Sequence, residues 1–209
     1  MGGPGASVLL REPLTKLQEH ELEIWLRSRT NQLEKGKGAY EFWLNEDAFP
    51  GSVSRCLFDL SVEDPQQWWD EDEKRQIKEA LGYLPTQSIS VASGCNRKED
   101  HTTLSQFVLH LAKHYDGLID MGGAITPPLK PVGREHLENF LAAPSAQGRE
   151  RKAYMRERLD ELKAYVRAMP GSVYEIEYTT AAGHRWVYHI VDVAFLQAWM
   201  EHPRFHMIK

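Results

Sequence analysis

Hydrophobic and polar positions along this chain follow two periods, and the clearest helical one runs from Leu104 to Tyr115. Leu104, Phe107, Val108, Leu111, Ala112 and Tyr115 stand at i, i+3, i+4, i+7, i+8 and i+11, which lays one apolar stripe along a helix of period 3.6. Asp100 can cap this helix, and Gly117 follows the last stripe residue, where a left-handed stop is usually needed. Before it, Ser88 to Ala92 is a short apolar, β-branched run ending at Gly94; after it, Leu118 and Ile119 begin another extended run closed by Gly122 and Gly123. The chain is organised around this strand, helix and strand.

The same reading carries outward. Met1 to Gly5 is glycine-rich and loose, with Ser7 to Leu10 a short edge strand. Leu14 to Leu33 has helical spacing. Ala39 to Asn45 and Val53 to Val62 are strands joined by a turn through Pro50 and Gly51, hence a hairpin. A helix starts at Asp64 or Pro65, runs to Leu81 and stops at Gly82. Thr126 to Gly133 (TPPLKPVG) is a proline-rich connector, followed by a short helix from Arg134 to Ala142, a loop over Pro144 to Gly148, and a charged helix from about Glu150 to Met169. Met155, Leu159, Leu162, Val166 and Met169 give that last helix its stripe. Val173 to Thr180 and Arg185 to Val191 form a C-terminal hairpin, and Val193 to Glu201 a final short helix. Alternation of helices with hairpins and single strands predicts an α+β fold, a mixed β-sheet with helices packed against it. The chain reads as a single domain over 1–209, with a subdivision at the connector 126–133.

Composition changes this picture little. The chain has 209 residues, 42% hydrophobic and 26% charged, with a formal net charge of −5. Phosphate-rich or anionic partners need a basic face, so no nucleic-acid and no membrane partner is expected. No window approaches the roughly 20 apolar residues of a membrane span, and the N-terminus lacks the features of a signal peptide, so the expected compartment is the cytoplasm. Cys56 shares strand parity with Phe58, Leu60 and Val62 and reads as a small buried hydrophobe, while Cys95 sits in a loop. Two cysteines supply neither a disulfide framework nor a zinc cluster.

Several residue sets could carry chemistry. Asp100 and His101, with Cys95 nearby, have the types of an acid–base pair beside a nucleophile; the plainer reading makes Asp100 an N-cap and His101 an N1 residue. His110 and His114 share i, i+4 spacing but lack the glutamate of the HExxH pattern, and Pro203 interrupts the same spacing between His202 and His206. Ser88-Ile89-Ser90 and Glu175-Ile176-Glu177, with Arg55 upstream, have the order of the S-x-S and E-x-E elements of ADP-ribosyltransferases. Alternating glutamates are equally what the solvated face of a strand looks like. The expectation is no catalytic residue, no cofactor and no metal ligand, hence no enzyme.

EALGYLP (Glu79 to Pro85), the Gly94–Leu104 block, DGLIDMGGAI (Asp116 to Ile125) and VDVAFLQAWMEHPRFHMIK (Val191 to Lys209) together resemble an uncharacterised bacterial family associated with immunity proteins of polymorphic toxins. The resemblance implies a protein that binds and neutralises a cognate bacterial toxin acting in the cytoplasm, occluding its active site. Its partner is then the toxin domain of a secreted effector. Asp70, Glu71, Asp72 and Glu73 are candidate contacts for a basic toxin cleft, although dipole complementarity explains them too. Trp68 and Trp43 are candidate aromatic anchors, although burial in the core is the expected fate of each. The alternative is a small enzyme, either an ADP-ribosyl transferase or hydrolase or a His-dependent hydrolase.

Overall fold

The computed structural model describes residues 3–36, 38–50, 56–123, 125, 160, 163–179, 185–203 and 205–207. The connector 126–133, the helix 134–142, the loop 144–148, Arg55 and most of the charged helix 150–169 lie outside them. Strands β1 (Gly5–Leu10), β2 (Thr30–Lys35), β3 (Ala39–Leu44), β4 (Leu57–Glu63), β5 (Gln87–Ser93), β6 (Leu118–Asp120), β7 (Val173–Thr179) and β8 (Arg185–Val191) form one eight-stranded sheet in the order β2-β3-β4-β5-β1-β6-β8-β7. Helices α1 (Lys16–Arg29), α2 (Glu71–Leu81), α3 (Lys98–Tyr115) and α4 (Val193–Met200) pack against it. The α+β layering is as expected.

The sheet departs from expectation in one respect: every described pairing is antiparallel, with no parallel pair to make it mixed. α3 carries the chain from β5 to β6, a connection that ordinarily joins parallel neighbours. Here β1 is inserted between them and runs antiparallel to both. β1 is therefore an interior strand, where the sequence suggested an edge. Its Ala6, Val8 and Leu10 face one core and Leu9 the other, so its apolar density reflects cover on both sides.

The main core lies between the sheet and α1, α3 and α4. Phe107 of α3 is fully buried among the rings of Trp25, Phe42 and Phe49 at 5.1 to 5.6 Å. α1 is capped by Thr15, whose hydroxyl accepts the Gln18 N–H at 3.3 Å. The helix ends at Arg29, short of the predicted Leu33, because Thr30 turns extended and β2 pairs with β3. Leu33 reaches the core from that strand instead; ladder pairing outweighs local spacing. The predicted helix from 64 to 81 is broken into a 3-10 turn (Pro65–Gln67) and α2, which Asp70 caps and Gly82 ends at φ 78°.

At the end of α3 the left-handed residue is Asp116, φ 52°, and not Gly117. Gly117 is needed for a different reason. A Cβ there would stand 2.5 Å from Val8 Cγ1 and 3.1 Å from the Leu9 carbonyl, so the chain can cross β1 only without a side chain. The cysteines also depart from expectation. Cys56 and Cys95 form a disulfide with Cα atoms 5.9 Å apart, joining the chain just before β4 to the loop after β5. Sheet pairing of β4 with β5 brings them together, which their spacing of 39 residues could not announce. No helix among the described residues is long and apolar enough to cross a membrane.

Candidate binding surface

The acids singled out in the sequence lie at the start of α2 and are largely occupied there. Asp70 accepts the Glu73 N–H at 2.8 Å, and Glu73 accepts the Asp70 N–H at 3.0 Å, a reciprocal cap that satisfies two free backbone donors. Glu71 pairs with Lys74 at 2.8 Å and Asp72 with Arg75 at 3.0 Å. Trp68 is 71% exposed, and its indole N–H donates to Glu63 at 3.2 Å.

The catalytic candidates are engaged in structure. Asp100 is fully buried at the third position of α3, where it accepts the Arg97 N–H at 2.7 Å; it is not the N-cap. His101 accepts the Met207 N–H on Nδ1 at 2.9 Å and meets Asn96 Oδ1 through Nε2 at 3.1 Å. Nδ1 therefore lacks a proton and the ring pins the C-terminal tail. Cys95 is in the disulfide. His110 stacks on Trp25 at 4.4 Å, with burial and its neighbour His114 holding its pKa down. His202 stacks on Trp199 at 5.1 Å and hydrogen-bonds Tyr165. Among the described residues no group of three or more His, Cys, Asp or Glu side chains is placed to hold a metal.

The S-x-S and E-x-E elements do not converge. β5 and β7 are separated by β1, β6 and β8, about 19 Å at 4.8 Å per strand. They also point apart. Ile89 lies in the main core, so Ser88 and Ser90 face the other way, while Ile176 lies in the second core and Glu175 and Glu177 face the main-core side. There Lys163 holds both glutamates at 3.5 to 3.6 Å. His189, directly across from Glu175, is fully buried with neither ring nitrogen hydrogen-bonded, and burial lowers its pKa to about 4.

What the sheet does bring together lies on the face away from α1 and α3. At one end of that face α2 covers β7 and β8 through a second core of Leu9, Trp69, Ile77, Ile176, Tyr188 and Ile190. At the other end no described helix covers β2 to β5. The ladders line up two transverse rows there. Glu34, Glu41 and Asp59 are directly opposite one another across β2, β3 and β4, and continue to Ala92 and Gly5. The next row is Ala39, Ser61, Ser90, Ser7 and Asp120. Ser7 and Ser90 share a hydrogen bond of 2.8 Å, and Ser61 donates to Glu63. No lysine or arginine among the described residues of β1 to β6 has the parity of this face.

Because Gly5, Ser7, Ser90 and Ala92 are small, the sheet floor sinks into a depression of about 310 Å³ between Asp59 and Asp120. Asp120 accepts one backbone N–H, from Gly122 at 2.8 Å. Burial raises its pKa to about 6, the Gly122 donor opposes this, and Glu73 adds to it. The nearby Tyr188 is buried, and its hydroxyl pKa is raised by that burial first, then by Asp120 and Glu73. Trp43, 42% exposed, and Trp68 stand near opposite ends of the β3–β4 ladder. Sequence reading missed Ser7, Ser61, Asp120 and the Glu34–Glu41–Asp59 row. Each alternates with core residues on its strand, but only strand order puts them side by side.

Fold and surface thus define an α+β protein with one antiparallel sheet, helix-covered on one face and carrying on the other an acidic half that no described helix covers. The chain belongs, over residues 2–209, to the family described as "Family of unknown function (DUF6368)". No curated protein and no solved structure matches it.

Proposed function

We propose that this protein is an immunity protein, binding a basic surface of a cognate toxin in the cytoplasm and blocking its active site. The observation that carries the reading is the acidic half-sheet, which no described helix covers. Carboxylates directly opposite one another across a ladder destabilise the free protein, and here Glu34, Glu41 and Asp59 stand so without an interleaved cation among the described residues. A basic partner relieves that repulsion and is drawn in by it, which raises the association rate and rejects acidic competitors. Trp43 and Trp68 supply large side chains beside the charges, as anchors at protein interfaces do. The four acids of α2 are secondary in this reading, since capping and local ion pairs engage them.

The test is co-expression with the toxin domain encoded immediately upstream. Cells should survive, and the two proteins should purify as a complex that weakens steeply with salt. The double variant Glu41→Lys/Asp59→Lys should lose protection while Glu71→Lys/Asp72→Lys keeps it. Survival with the first pair and death with the second would move the interface to α2. Death with the unaltered protein would end the reading.

A further inference from the structure

We infer that the depression between Asp59 and Asp120 is a receptor site for one arginine side chain of the protein partner. It rests on the reading above for the identity of that partner but not for its chemistry. The floor offers acceptors: the Ser7 and Ser90 hydroxyl oxygens and a carboxylate at each end. Asp120 has one neutral donor, Gly122 N–H, and its described charged neighbour is another acid, Glu73. A half-buried carboxylate with so little compensation favours a cation beside it.

The volume, about 310 Å³, admits a long side chain, and the closed Ser7–Ser90 pair keeps the floor flat. A planar guanidinium can lie on such a floor and present two N–H groups to Asp120 while its other donors reach the serine oxygens. An ammonium gathers the same acceptors less well, because its three donors splay from one point. Neutral polyols would find hydroxyls but leave Asp120 uncompensated.

The experiment uses the purified full chain and Nα-acetyl-arginine amide, followed by amide NMR. The control is Nα-acetyl-citrulline amide, which has the same shape without charge. Saturable shifts should cluster at Gly5, Ser7, Ser90, Asp120 and Gly122 with the arginine probe and be at least tenfold weaker with citrulline. Asp120→Asn should abolish them, and Ala92→Leu, which fills the depression from an adjacent position without touching a charge, should do the same. Glu79→Gln, an exposed acid elsewhere, should change nothing. Equal response to citrulline, shifts scattered over all surface acids, or full binding by both Asp120→Asn and Ala92→Leu would overturn the inference. If arginine binds but no toxin is neutralised, the site stands and the immunity reading fails. If Asp120→Asn protects cells as well as the unaltered chain while Glu41→Lys/Asp59→Lys does not, the immunity reading stands and this site fails.

Discussion

The two ends of one sheet face differ in what finishes them. At the β7–β8 end, α2 lies across the strands: Ile77 is fully buried against Ile176 and Ile190. Gln76 also closes the sheet edge, donating to the Glu177 carbonyl and accepting its N–H, both at 2.9 Å. This occupies the outward backbone groups of Glu177 and makes that stretch of edge a poorer template for another strand. At the β2–β5 end the same strand alternation presents Glu34, Glu41, Asp59, Ser61 and Ser90 in place of isoleucines. No described helix lies there, and the cross-link Cys56–Cys95 ties β4 to β5 instead. One end is covered by α2, whereas the other is cross-linked and has no described helix over it.

That contrast can be broken in four ways. Removing the cross-link should have the largest effect. Closing a loop of 39 residues is worth about 4 kcal/mol by chain entropy, so Cys56→Ser/Cys95→Ser, or excess reductant on the unaltered chain, should lower the free energy of unfolding in urea by about that amount. No change with reductant would mean that the β2–β5 half needs no staple.

Next, Ile77→Ala on the covered half should cost about 3 kcal/mol, the usual range for emptying a buried aliphatic site. Asp59→Ala on the β2–β5 half should cost almost nothing by the same denaturation. A large loss for Asp59 would show that it is held by structure.

The third concerns acid. Asp120 titrates at about 6 in the native protein against an ordinary 3.8, so the native state binds the proton first and gains stability as pH falls from about 6 towards 4. His189 titrates at about 4 against 6.5; the unfolded chain takes that proton first, and stability is lost over nearly the same window. The two oppose each other. Asp120→Asn should therefore steepen the loss of stability between pH 6.5 and 4, and His189→Leu should convert it towards a gain, both read from urea midpoints. Identical pH slopes in all three proteins would refute both assignments.

The smallest effect is the most telling. Glu41→Gln, in the middle of the acidic row, should stabilise the isolated protein by about 0.5 kcal/mol and weaken the complex with a basic partner. A variant that folds better and binds worse marks a residue kept for recognition. If Glu41→Gln destabilises the protein, the row is structural.

Much of the local architecture is legible in the residues. The α3 stripe from Leu104 to Tyr115, the strands on either side of it, the C-terminal hairpin and the helix after it all lie where period and punctuation put them. These signals are local: a helix stripe needs only neighbours three and four residues away, and a turn needs only its own glycine or proline. Local signals mislead where a distant partner decides. Leu33 has helical spacing but belongs to β2, because β3 offers its backbone a ladder. Asp116 takes the left-handed turn and Gly117 the close crossing over Val8, a division set by where β1 lies. On the candidate surface, the sequence favours burial for Trp68 and Trp43, yet both are exposed; the acids of α2 are legible, with their ambiguity between capping and contact.

The sequence by itself determined which side chains alternate between core and surface, since that depends only on the pleat of each strand. Tertiary structure alone decided which strands are neighbours. Antiparallel insertion of β1 between β5 and β6 brings Ser7 beside Ser90 and Asp120, although they lie 83 residues or more from Ser7 in the chain. Pairing of β2, β3 and β4 likewise lines up Glu34, Glu41 and Asp59. Ladder partners are chosen by the burial of the opposite face, so the surface row is a by-product of core packing. No local window of residues contains that information.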